Sequence, residues 1–356
     1  MYKQFLDSAL ETLFKPIKEN GFWDEEKGRI AERLYFDEEW NWSFVPSDKM
    51  RYMVFCLSNL LLAKEHYNLN TNKVDDKIIS SLKYLNKNKE HLTISDLTYG
   101  ALLSVFLQKK FYNVEDINLG EWILVFEKAL DASLIRKDNH DALVLIAGKY
   151  FLEEHPGHPL QQKLKMLADN YLEAQNATGY FETGDLRANY HQRNMYVLWG
   201  LLAATSFYPE KKDEIGACVH KTLSWVWKNR RDSKDNAFYW HPPFYWIKNK
   251  LGIITPILNS GHSKFLFECH QTFFVNAVNF YQEVYGSNEF SDEKVKAMEW
   301  IFGKNRIKKD LVAVTGIHLP VRIMHINGGL YIKNQNFKGT YEIGSYILAL
   351  TSFQNK

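Results

Sequence analysis

Within eight positions, the segment RANYHQRN (187–194) gathers Arg187, Asn189, Tyr190, His191, Arg193 and Asn194, and the chain then turns apolar in MYVLWGLLAA. That mixture suits proton abstraction beside a carboxylate: an amide or a cation neutralises the acid, and a base titrating near neutrality takes the proton. The plainer alternative is that Asn189 and His191 cap a helix and bond its first N–H groups. A second cluster lies in NSGHSKFLFECHQTFF (259–274), with His262 ahead of Glu268, Cys269, His270 and Gln271. One helical turn separates Glu268 from Gln271, so the two are expected to face the same space. Carboxylates recur at Asp96, Asp141, Glu268 and Glu342, near Arg51, Tyr99, His140 and Tyr341. A glycosidase needs two such groups, one protonated and one ionised, although each alone also suits the first turn of a helix.

Apolar spacing at i, i+3, i+4 and i+7 predicts helices nearly throughout, in two alternating kinds. Two-faced helices are expected at 3–19, 74–91, 119–136, 160–175, 213–229 and 291–303. Helices apolar almost all round are expected at 48–66, 95–111, 139–153, 190–207, 267–284 and 340–353. Six wet and six buried helices in alternation predict an all-α fold, an (α/α)6 toroid of six hairpins with an inner and an outer ring. Each repeat buries its faces only against its neighbours, so 1–356 is expected to form one domain.

The clusters sit where the buried helices open, near Arg51, Asp96, His140, His191, His270 and Glu342. Connections into those openings are long (20–47, 176–189, 230–266, 304–339), whereas the return connections are short. The long loops therefore share one rim, where helix N-termini favour anionic ligands and where function is usually built. Those loops carry Trp40, Trp42, Phe238, Trp240, His241 and Trp246. Such rings either plug the toroid mouth or stack flat, amphipathic sugars. The late loop with His318, Arg322 and His325 is expected to fold over the mouth as short strands.

The Asn–aromatic–His cluster opening an apolar helix resembles the catalytic helix of toroidal alginate-type polysaccharide lyases, and the whole pattern resembles the six-hairpin glycosidases. The lyase resemblance implies Asn189 as carboxylate neutraliser, His191 as base and Tyr190 or a loop tyrosine as acid, with Arg193 beside them; Tyr190 stands where the lyase pattern has a second Asn. The Gly–His…Glu run from His262 to Glu268 is similar to that of N-acyl-glucosamine-type epimerases. Together these imply an enzyme that cleaves glycosidic bonds of an acidic, uronate-containing saccharide, with elimination placed slightly ahead of hydrolysis. The catalytic set is then His191, Asn189, Tyr190, Arg193, Glu268 and His270. Substrate contacts are assigned to Trp40, Trp42, Arg51, Asp96, His140, Asp141, Trp240, His241, His262, Gln271, Tyr341 and Glu342. A paired-carboxylate hydrolase, a glycan-binding or polysaccharide-assembly protein and a sugar epimerase remain as alternatives.

Composition narrows the rest. With 44 Lys+Arg against 42 Asp+Glu the formal charge is +2, so no global field recruits nucleic acid or an anionic membrane. Three widely spaced cysteines, Cys56, Cys218 and Cys269, argue against a disulfide framework and a thiolate metal site, so no cofactor is expected. No apolar run reaches the roughly 18 residues of a membrane span, and the opening MYKQFLDSALETLF shows no signal pattern; the expected location is cytoplasmic.

Overall fold

The computed structural model describes residues 2–181, 191–240, 244–248, 254–258 and 264–354. Twelve helical elements alternate between the rings. The outer ones are α1 (Tyr2–Phe14), α3 (Asp75–Lys87), α5 (Leu119–Arg136), α7 (Leu160–Ala174), α9 (Lys212–Asn229) and α11 (Ser291–Ile301). The inner ones are α2 (Arg51–Tyr67), α4 (Ile94–Asp96, Leu97–Ala101 and Leu102–Gln108 in continuous sequence), α6 (Asn139–Leu143 and Val144–Glu154), α8 (His191–Ala204), α10 (Glu268–Tyr285) and α12 (Thr340–Ser352). Each inner helix packs against the next, and α12 returns to pack on α2, which closes the ring. The architecture is the expected α/α toroid.

The two kinds of helix differ as their composition requires. In α3 only Ile78, Ser81, Leu82 and Leu85 are buried, a single stripe, whereas in α10 every residue from Glu268 to Tyr281 is buried. Aromatic rings from four inner helices fill the axis. Phe55 stacks on Tyr99 at 4.4 Å between centroids, and Phe273 meets Tyr196 and Trp199 edge-on at 5.4 and 5.7 Å.

Ring closure depends on a close approach. A Cβ at Gly344 of α12 would lie 2.7 Å from the Cα of Cys56 on α2, so only glycine permits this spacing. Gly344→Ala is expected to cost about 1–3 kcal/mol through backbone displacement, read as a lower urea midpoint at unchanged slope.

Periodicity suggests hardly any strand, yet short strands occupy the long loops. These are β1 (Trp23–Asp24), β2 (Arg29–Ile30), β3 (Arg33–Phe36), β4 (Trp42–Ser43), β5 (Arg231–Asp232), β6 (Ala237–Phe238), β7 (Phe244–Lys248), β8 (Ile254–Leu258), β9 (Phe265–Phe267), β10 (Ile323–His325) and β11 (Phe337–Gly339). Two to five residues are too few to display an alternation, and β3 and β9 find partners, β11 and β10, that are distant in sequence. Strand β3 sits between β4 and β11, with Arg33 opposite Gly339 and Tyr35 opposite Phe337, while β10 pairs with β9. The late loop does form strands at the mouth. No described helix is long and apolar enough to cross a membrane.

Candidate functional site

A cleft of about 730 Å³ opens where the inner helices begin. Arg51 and Tyr52 of α2, Asp96 and Tyr99 of α4, Gln192 of α8 and Tyr341 of α12 supply its helical wall. Glu32, Arg33 and the stretch from Ser47 to Met50 supply the loop wall, with His91 and Thr93 at its edge. Tyr52 packs on Tyr341 at 4.4 Å. Hydroxyl-bearing rings of this kind offer apolar faces and polar tips together, which suits a sugar.

Charges in the cleft are mostly satisfied internally. Arg33 lies 3.4 Å from Glu32 and over the rings of Tyr52 and Phe337, and Asp48 accepts from Lys27 at 2.6 Å. Asp96 closes a capping box: its Oδ2 accepts from the Thr93 amide and hydroxyl, and Thr93 Oγ1 accepts from the Asp96 amide. Arg51 differs. Its guanidinium lies over Tyr99 at 5.0 Å and, among the described residues, makes no hydrogen bond or ion pair. A guanidinium in a polar cleft has the fork of donors that matches a carboxylate.

Behind the Tyr99 wall lies a second layer of ionisable groups at the start of α6. Asp141 has no exposed surface; its Oδ1 accepts from Thr98 Oγ1 at 2.9 Å, and Arg136 Nε stands 3.4 Å from Oδ2. Burial outweighs those contacts and pushes the Asp141 carboxyl up to about 6. Asp138 runs the other way: hydrogen bonds from the His140 ring and amide hold it well below the usual carboxylate range. Burial lowers His140, whose ring packs against Tyr99 and Tyr196. Tyr99 and Tyr196 share a hydroxyl contact of 2.6 Å, and Gln192 reaches both. Arg193, expected beside the catalytic histidine, turns toward Asp138 at 3.9 Å.

His191 lies inside the wall rather than on the cleft, at 2 % exposure. Phe238 stacks on its ring at 4.3 Å, and Nε2 donates to the carbonyl of His270 at 2.9 Å, which leaves Nδ1 as an acceptor with no hydrogen bond among the described residues. Burial and the nearby His270 ring hold His191 well below the usual histidine value, so it is neutral. The ring of His270 lies 5.0 Å away, its Nδ1 donating to Tyr239 O at 3.0 Å. Asn189, Tyr190, His241 and His262 lie outside the described residues.

Glu268 and Gln271 do not share a common space. Gln271 binds the Phe267 carbonyl and the Phe238 amide, while Glu268 turns to Lys338 Nζ at 2.7 Å. Lys338 also lies 3.4 Å from Glu342, which accepts from Arg322 Nε at 2.6 Å. All four side chains are buried. They form a closed network under Tyr341 instead of a pair of carboxylates across the cleft. The aromatic candidates have partners too: Trp40 stacks on Phe36, the Trp42 indole donates to Thr315 O at 3.0 Å, and Trp240 packs on Phe267 and beneath Arg322. None of the three lines the cleft.

Of the expected set, the structure therefore brings Arg51, Asp96 and Tyr341 to the cleft and places His140 and Asp141 just behind it. Glu32, Arg33, Tyr52 and Gln192 went unnoticed. The first two lie in a loop read for its aromatics, and their place depends on β3 pairing with β11. Thr93 and Asp96 carried a legible signal, the T-x-x-D spacing of a capping box.

No protein-family model and no curated protein matches the sequence. Solved structures do match over nearly the whole chain. An unsaturated glucuronyl hydrolase specific for heparin is similar at a TM-score of 0.66 and 10% identity, covering 99% of this chain and 97% of that one. An unsaturated glucuronyl hydrolase from Streptococcus agalactiae gives 0.60 and 13%, covering 99% and 91%. A D-mannose isomerase gives 0.63 and 10%, covering 100% and 97%. The chain thus shares the α/α-toroid fold of these enzymes.

Proposed function

We propose that the protein is a carbohydrate-active enzyme that hydrolyses a glycosidic bond in a short acidic saccharide. The observation that carries this reading is Asp141, a carboxyl pushed up to about 6 on the inner helix next to the one bearing the cleft-facing Asp96. One protonated and one ionised carboxyl are the two halves of glycoside hydrolysis. Asp141 delivers its proton to the leaving oxygen as the bond from the anomeric carbon breaks. Asp96, whose Oδ1 has no hydrogen bond among the described residues, takes a proton from the incoming water. Because Asp141 has no exposed surface, delivery requires its side chain to turn from Arg136 toward the cleft, where Arg51 stands. Arg51 holds the substrate carboxylate.

Hydrolysis now stands ahead of elimination. His191, the base of the elimination reading, is buried with Nε2 committed to a carbonyl, and the similar solved structures include hydrolases of unsaturated glucuronyl substrates. A second reading, sugar epimerisation, is favoured by the adjacent His191 and His270 and by the isomerase likeness.

The test is a panel of uronate-containing and neutral disaccharides, followed for reducing ends, for near-ultraviolet absorbance and, by NMR, for epimers. New reducing ends without absorbance growth support hydrolysis. Absorbance growth restores elimination, and an epimer without cleavage selects the second reading. Arg51→Ala is expected to raise KM for the uronate substrate about tenfold, the worth of one charge-assisted contact, with little change in kcat.

A further inference from the structure

Inner helix α4 is not a regular helix. Over Leu97–Ala101 it makes a π turn, with the Leu102 amide donating to the Leu97 carbonyl. One extra residue in a turn rotates the preceding side chains by about 100° relative to an uninterrupted α-helix. The turn fits because residue 100 is glycine, where a Cβ would lie 2.5 Å from the Val54 carbonyl oxygen of α2. Two consecutive side chains benefit from this placement. Tyr99 lines the cleft, while Thr98, buried, turns to α6 and donates its hydroxyl to Asp141 Oδ1 at 2.9 Å.

We propose that Thr98 is a positioning residue for Asp141: the π turn fixes its hydroxyl on Oδ1 and so holds the carboxyl in the orientation that sets Oδ2 toward Arg136. The consequence rests on hydrogen bonding: a hydroxyl donated to a carboxylate oxygen in a buried site favours the charged form, as does the Arg136 guanidinium 3.4 Å from Oδ2. The groups facing Asp141 from neighbouring elements are few. Arg136 ends α5, Asp138 precedes α6, Arg51 opens α2, and Tyr171 of α7 donates to the Asp138 carbonyl at 2.7 Å. Arg193 of α8 faces Asp138. Of these, Thr98 alone makes a hydrogen bond to the Asp141 carboxyl among the described residues.

Removing that donor disfavours the charged form. Thr98→Val is therefore expected to raise the Asp141 titration by about one pH unit, and Thr98→Ser to restore it. Valine suits the apolar surroundings, and the serine variant separates loss of the hydroxyl from loss of packing. The measurement is the carbon-13 titration of the Asp141 carboxyl in the full chain, assigned by its disappearance in Asp141→Asn. An unchanged titration in Thr98→Val overturns the proposal, as does a shift that serine fails to reverse.

The proposal gains catalytic meaning only through the hydrolytic reading, and the two can fail separately. If the basic limb of the pH–rate profile moves with the titration in Thr98→Val, both are supported. If the carboxyl titration moves and the limb does not, Thr98 still positions Asp141, and Asp141 is no longer the proton donor.

Discussion

Asp141→Asn is expected to abolish most turnover and at the same time to stabilise the fold. The catalytic half follows from the loss of a general acid, about 10²- to 10⁴-fold in kcat. The stability half follows from burial. The folded carboxyl titrates near 6 against an ordinary value of 3.8, so the native state holds its proton more tightly than the unfolded chain does. Below pH 3.8 both states are protonated and the group contributes its full favourable share. As pH rises toward 6 that share is lost, and above 6 the ionised carboxylate costs about 3 kcal/mol relative to a neutral one. Asparagine never ionises. Urea titrations at pH 4 and pH 8 should therefore show little difference from wild type at the lower pH and greater stability of the variant at the higher. A variant equally destabilised at both would refute the strained-carboxyl account.

The second large effect is expected at Lys338. Its ammonium stands between Glu268 and Glu342, with Arg322 neutralising Glu342 from the other side. Burial pushes Glu268 upward and Lys338 pulls it back, so the lysine is what permits this carboxylate to be ionised. Lys338→Met removes one partner of a buried network and leaves an uncompensated charge, at a cost of about 3–5 kcal/mol. The penalty should shrink on acidification, because Glu268 then takes up a proton and no longer needs the lysine. Unfolding free energies at pH 8 and pH 5 provide the check. Equal losses at both would mean that Lys338 contributes packing alone.

The comparison between sequence and structure is uneven for a physical reason. Helices such as α5 and α7 were legible because their apolar stripes repeat over many turns, and the functional rim was legible because loop lengths alternate. Depth was not legible. His191 and Asp96 both open inner helices, yet one lies under Phe238 and the other lines the cleft. That distinction depends on which distant loop lies over each helix end. Likewise Glu268 and Glu342 stand among four candidate carboxylates in the sequence, yet strand β11 inserts Lys338 between them. The π turn in α4 was also hidden, since one inserted residue barely disturbs a hydrophobic count. Nothing local marks Thr98 as the residue that touches Asp141.

The closure of the toroid also governs how the chain is made. Helix α2 emerges from the ribosome ahead of the other five inner helices, whereas its packing partner α12 follows all of them. The same holds for β3, whose neighbour β11 sets Phe337 opposite Tyr35 and Gly339 opposite Arg33. The growing chain must therefore carry one unpaired apolar flank and one bare strand edge until α12 is made. The remaining hairpins can assemble as they appear, each on its predecessor, but the seam waits for α12. A nascent chain stalled before residue 340 should therefore bind general chaperones and resist compaction, even with five inner helices already translated.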